Sequence, residues 1–120
     1  ESLRTISRAR VGMKEFDVAH TLLGKSGALV IQIGDQRGMA ECLEYFARLK
    51  VAENNFENAV ILYALADHIR SKIHSPLGPA DSAERTQILK KAQRTVTSAQ
   101  YREAWELGQS LEFTQALNFT

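Results

Sequence analysis

Apolar side chains recur along this chain in steps of three and four residues. From Phe56 the stripe passes through Ala59, Tyr63, Ala66 and Ile73, the spacing that places side chains on one face of an α-helix. A related pattern lies 40 residues earlier. Ile6-Ser7-Arg8-Ala9-Arg10-Val11 aligns with Phe46-Ala47-Arg48-Leu49-Lys50-Val51, and Phe16-Asp17-Val18-Ala19 with Phe56-Glu57-Asn58-Ala59. Leu22 then falls on Leu62, Leu29 on Ile69 and Ile33 on Ile73. A fixed period of this kind marks repetition of one supersecondary unit.

Each copy reads as a helical hairpin. The first helix ends near Val11 or Val51, and a polar turn follows, Gly12-Met13-Lys14 or Glu53-Asn54-Asn55. Gly and Asn suit such turns because they accept the left-handed backbone that closes a helix. A longer second helix runs to Gly34 or to about Ile73, and Gly34-Asp35-Gln36 breaks one helix and starts the next with Asp35 or its neighbour as N-cap. After Ile73 the repeat fails, because His74-Ser75-Pro76-Leu77-Gly78-Pro79 holds both prolines and cannot be helix interior. Asp81 with Glu84 has capping-box spacing for a helix from Ser82 to about Val96. Thr97 with Gln100 repeats that spacing for a helix from Ser98 to about Leu107, and Ser110 is positioned to cap a last one over Leu111 to Asn118. Tyr101 and Ala104 echo Phe56 and Ala59, so the end of the chain reads as a degenerate third hairpin covering the last apolar face. The expectation is an all-α single domain of about seven helices, with repeat 1 at 5–34, repeat 2 at 36–74 and a divergent capping hairpin at 81–118.

The sequence aromatic-acid-x-Ala, then an apolar and a small residue, is carried by Phe16, Asp17, Ala19, Leu23 and Ser26. It returns in Phe56, Glu57, Ala59, Tyr63 and Ala66. This resembles the second helix of a tetratricopeptide repeat, where Ala permits close helix approach and the aromatic fills the angle between helices. The period of 40 exceeds the usual ~34, which implies helices longer by about a turn. From Gly34 to Glu44, with Phe46-Ala47, Ala59, Leu62, Ala64, Ile69, Arg70, the Ser75–Pro79 loop, Tyr101, Ala104-Trp105, Gly108 and Leu111, the chain resembles a larger assembly. It is similar to the C-terminal helical-repeat region of large bacterial signalling regulators, which join an ATPase module to such repeats and often carry a LuxR-type DNA-binding, kinase or cyclase domain. The likeness spans roughly residues 10 to 117, and His74 departs from it where Gly is expected before Pro76. It implies a regulatory or partner-binding module and brings no catalytic residue, since the family's ATPase motifs lie outside this region.

Composition adds limits. The chain has 120 residues, 15 Lys+Arg against 14 Asp+Glu, and a net charge of +1, which gives no global pull toward nucleic acid or an anionic membrane. One cysteine, Cys42, permits neither an internal disulfide nor a cysteine-cluster zinc site. The longest apolar run, Ala59 to Ala66, has eight residues, against about 20 for a spanning helix. Without an apolar leader, a cytoplasmic location is expected, and the opening Glu1-Ser2-Leu3-Arg4 suggests a piece of a longer chain.

Enzyme chemistry finds no foothold, and no cofactor or metal is expected. There is no GxxxxGK[ST] phosphate loop, and Cys42, inside a helix, reads as core packing. Asp17 and His20 share a helix face, but the chain has no Glu-x-x-His, which a helical di-metal site needs. Ala104-x-x-x-Gly108 has helix-turn-helix spacing, yet residues 103–120 hold no Lys or Arg with which to neutralise phosphates, so direct DNA binding is not expected.

Partner contact is the reading that remains. Arg8 and Arg48 are equivalent by repeat position, as are Arg10 and Lys50. With Tyr45 they form either a basic ladder along the concave face of a solenoid or plain surface. Arg85, Lys90, Lys91, Arg94 and Arg102 have no acid among them, and Lys90, Lys91 and Arg94 read as a docking strip for an acidic partner or as a solvated helix face. Glu44 and Arg48 are expected to form an exposed i, i+4 pair, while Tyr63 and Trp105 read as core. The favoured function is a non-catalytic protein-protein interaction or regulatory module of a bacterial signalling or transcription regulator. The alternative is a small-effector sensor whose ligand sits between the repeats and the capping hairpin.

Overall fold

The structure, a computed structural model, describes residues 16–120. Within them the chain forms α1 (Phe16–Ile33), α2 (Gln36–Ala52), α3 (Phe56–Lys72), α4 (Pro79–Thr95), α5 (Ser98–Ser110) and α6 (Phe113–Ala116), then a 3-10 turn, Leu117–Phe119. No strand occurs among the described residues, and the all-α expectation holds for them. The expected first helix of repeat 1, its Gly12 turn and Arg8 lie outside the described residues.

α1 and α3 start at Phe16 and Phe56, the 40-residue offset visible in the sequence. Their ends, and that of α2, are closed in one way. Gly34, Asn54 and His74 have φ of 68°, 62° and 55°. After each, an amide reaches back five residues: Asp35 N to Val30 O at 3.0 Å, Asn55 N to Lys50 O at 2.7 Å and Ser75 N to Arg70 O at 3.0 Å. This is the Schellman closure, which satisfies carbonyls left open at a helix end. His74, standing where Gly was expected, therefore adopts the backbone that Gly would.

The N-termini follow the sequence in part. Asp35 Oδ1 accepts from Gly38 N at 2.9 Å, Asn55 Oδ1 from Asn58 N at 3.2 Å, and Thr97 with Gln100 makes the reciprocal capping box. Two starts differ from expectation. α4 begins at Pro79 after an N-cap at Gly78, because a proline at the first helical position has no amide to satisfy and a suitable φ already. Asp81 and Glu84 therefore fall on the first two turns of α4. α5 runs through Ser110, whose Oγ donates to Leu107 O at 2.9 Å, so α6 starts later, with Glu112 N donating to Gln115 Oε1 at 2.9 Å.

α2 packs between α1 and α3, and α3 packs in turn against α5. That central place explains the apolar run: Ala59 to Ala66 are all buried, because α3 meets neighbours on opposite sides. Cys42 is fully buried, its thiol directed at Leu23 O, 3.7 Å away. Tyr63 is buried as expected, while Trp105 is partly buried against the apolar cluster that includes Phe56, Val60 and Ile61. α5 lies tight against α3 at Gly108, where a Cβ would be 2.2 Å from Ile61 O. By contrast α4 has one fully buried residue, Ala92, with Ile88 and Leu89 partly buried. No helix among the described residues is long and apolar enough to cross a membrane.

Candidate functional site

Charged side chains converge where α2, α3 and α4 meet. Glu44, on α2, accepts two hydrogen bonds from Arg70 of α3, at 2.7 and 2.8 Å. The pair is 6% and 9% exposed, and Arg70 Nη1 also donates to Ser75 O at 3.1 Å, tying down the loop that follows α3. The hydrogen bonds to Glu44, opposed by burial, hold the Arg70 guanidinium above its ordinary pKa. This corrects the expected exposed Glu44–Arg48 pair. Packing turns Glu44 toward α3, and an i, i+4 neighbour on its own helix loses to an arginine 26 residues away.

Arg48 is taken up by α4. Its Nη2 lies 3.2 Å from Asp81 Oδ1, its Nε donates to Glu84 Oε1, and its guanidinium sits 4.8 Å from the centre of the Tyr45 ring. The aromatic face adds a cation–π contact and fixes the plane of the fork. Burial works against the Arg48 charge, but Tyr63, Glu84 and Asp81 outweigh it and raise the pKa. Beneath, the Tyr63 hydroxyl is buried without a hydrogen-bond partner among the described residues, and burial pushes its pKa far above the phenol's ordinary value.

Of the residues expected to face a partner, Arg48 is 14% exposed and Lys50 11%, the latter with Nζ 3.4 Å from Glu53 Oε1. Tyr45 is half-buried under Arg48, and Arg8 lies outside the described residues. Arg48 and Lys50 are thus drawn in, not displayed along an open groove. The acid-free strip is divided as well. Arg85 turns inward to Asp67, at 3.1 Å, while Lys90, Lys91 and Arg94 are exposed on α4, with Lys91 Nζ 5.7 Å from the Phe56 ring.

A cleft of about 490 Å³ opens between α3, the α1–α2 turn and the segment joining α5 to α6. Met39, Leu65, Ile69 and Leu111 form its apolar part, and His68 and Lys72 stand at its rim. Gln109, also in its wall, donates to Ala64 O at 2.7 Å and pins the end of α5 to α3. A smaller hollow of about 330 Å³ is bounded by Asp67, Arg70, His74 and Arg85, whose two arginines are both committed to carboxylates. Among the described residues no three His, Cys, Asp or Glu side chains gather as metal ligands would.

Sequence reasoning missed Arg70, Asp67, Asp81 and Glu84 as members of this seam. Nothing periodic marks them, since each finds its partner across 18 to 36 residues. No family model, curated protein or solved structure matches the chain.

Proposed function

We propose that the chain is a non-catalytic protein-interaction and regulatory module of a larger bacterial signalling or transcription regulator. It would act through contact with neighbouring domains of its parent or with a protein partner. The observation that carries this reading is the outer face of α1, where Leu29 and Ile33, one turn apart, are 53% and 64% exposed. Helical repeats bury their apolar faces by stacking on the next unit, so such a pair suits a contact with an adjoining segment. The resemblance to the repeat regions of ATPase-linked regulators supplies the class of parent.

The coding sequence preceding Glu1 tests the placement: an ATPase module with a LuxR-type, kinase or cyclase domain supports it, and a short stand-alone chain sinks it. In the parent protein, Leu29→Glu with Ile33→Glu should change the regulated output while moving the stability of this chain by no more than about 0.5 kcal/mol.

The cleft favours a second reading, a sensor for a small effector. Its size and its apolar lining with a few polar groups at the rim are those of ligand pockets. A compound that raises the melting temperature of the chain, and loses that effect when Ile69→Trp fills the cleft, would support it.

A further inference from the structure

We propose that the first two turns of α4 are an internal competitor for an acidic partner segment, and that Arg48 with Tyr45 is the site they occupy. The inference rests on the interaction-module reading and names the partner's chemistry. What the site accepts is already seated in it. Asp81 and Glu84, i and i+3 on one helix, both reach the guanidinium that Tyr45 holds in place. A partner helix presenting two carboxylates at the same spacing meets the same geometry, and Arg binds carboxylates by such paired contacts.

α4 is built to let go. Across its 17 residues one side chain is fully buried, so apolar burial holds it less firmly than it holds α3. Its links to α2 and α3 include Arg48–Asp81, Arg48–Glu84 and Asp67–Arg85, pairs whose acids are 45%, 35% and 36% exposed. Partly exposed pairs contribute ~0–1 kcal/mol each and weaken with salt, which places α4 among elements that open before the core does. Extended backbone at Gly78 and at Val96–Thr97 bounds the helix, so it can leave without unwinding α3 or α5. Glu44–Arg70 joins α2 to α3 and stays behind. Lys90, Lys91 and Arg94, exposed on the same helix and with no ion-pair partner among the described residues, would draw an acidic segment toward the latch before it exchanges onto Arg48.

The test uses the whole chain and a synthetic peptide copying residues 78–96 with Arg85→Gln, Lys90→Gln, Lys91→Gln and Arg94→Gln, so that Asp81 and Glu84 are its only charged side chains. Hydrogen exchange of the unsubstituted chain should show protection over 79–95 at low salt that is lost at about 0.5 M NaCl, while 56–72 keeps its protection at both. The variant Asp81→Asn with Glu84→Gln should bind the peptide at low salt about tenfold tighter than the unsubstituted chain, because the competing state is removed. Adding Arg48→Ala, or using a peptide with both acids made amides, should abolish that gain. Salt-independent protection over 79–95 overturns the latch and leaves the interaction reading standing. Salt-labile protection without peptide binding by the variant overturns the acidic-partner assignment and removes this support from the interaction reading. Should the variant fail to give a helical circular dichroism spectrum, the exchange measurement on the unsubstituted chain decides the latch alone.

Discussion

Replacing Gly108 by Ala tests the packing at the centre of the fold. A Cβ there would lie 2.2 Å from Ile61 O, 2.6 Å from Ala64 Cβ and 3.1 Å from Ile61 C. Ordinary contacts need about 3.5 Å, so α3 and α5 must part by roughly 1 Å, and no rotamer change can help because two of those atoms are backbone. Separation loosens Ala104 against Phe56, Val60 and Ile61 and stretches the 2.7 Å bond from Gln109 to Ala64 O. Overpacking costs ~1–3 kcal/mol and the hydrogen bond contributes ~1, against a helix-propensity gain for Ala of at most ~1 kcal/mol. The net expectation is a loss of about 1–3 kcal/mol. Gly24 is the control, since it lies within α1 and a Cβ there meets nothing within 4 Å. Gly24→Ala should gain up to ~1 kcal/mol, leaving the two variants ~2–4 kcal/mol apart. Urea titration followed by far-UV circular dichroism reads the difference as a shift in midpoint at unchanged m-value. A Gly108→Ala protein as stable as Gly24→Ala would refute the close approach of α3 and α5.

Three further outcomes are expected. Glu44→Leu or Arg70→Met should each cost about 3–5 kcal/mol by leaving one buried charge uncompensated, whereas the double replacement Glu44→Leu/Arg70→Met recovers much of it; additive losses in this double-mutant cycle would contradict the pairing. Tyr63→Phe should be neutral or stabilising by about 1 kcal/mol, since it removes a buried hydroxyl that lacks a protein partner. The phenol's folded pKa lies above its unfolded value near 10.0, so the stability linked to it is present below that pH and is lost as pH rises beyond it. The Phe variant should accordingly lose less stability between neutrality and about pH 10.5, measured by urea midpoints. His74→Gly should gain roughly 0.5–1 kcal/mol by relieving a side chain held at positive φ, and an unchanged melting temperature would argue against that backbone.

How much was legible from the residues follows from the range of the forces involved. Helix existence, the matching starts of α1 and α3, the helix break at Gly34, the left-handed closure at Asn54 and the Thr97–Gln100 box all depend on groups within five residues of one another. Neighbouring side chains and backbone dihedrals settle such features, so they could be read directly. Even the departure at His74 pointed to a backbone need that the structure shows.

The charged seam was not legible in this way. Glu44 had a suitable arginine four residues on, and by local rules should have used it. Whether it turns to Arg48 or to Arg70 depends on how α2 is rotated against α3, which is set by the burial of Leu43, Phe46 and Ala47 on one side and Ala59, Leu62 and Ala66 on the other. Arg48 then meets Asp81 and Glu84 because Pro79 starts α4 early and carries both acids onto its first two turns. The sequence alone determined the helices and the chemistry each carries. Tertiary packing decided which charges are spent inside the fold and which, like Lys90 and Arg94, face outward, because ion pairs that close loops of 26 to 36 residues form only after the apolar faces have set the helices side by side.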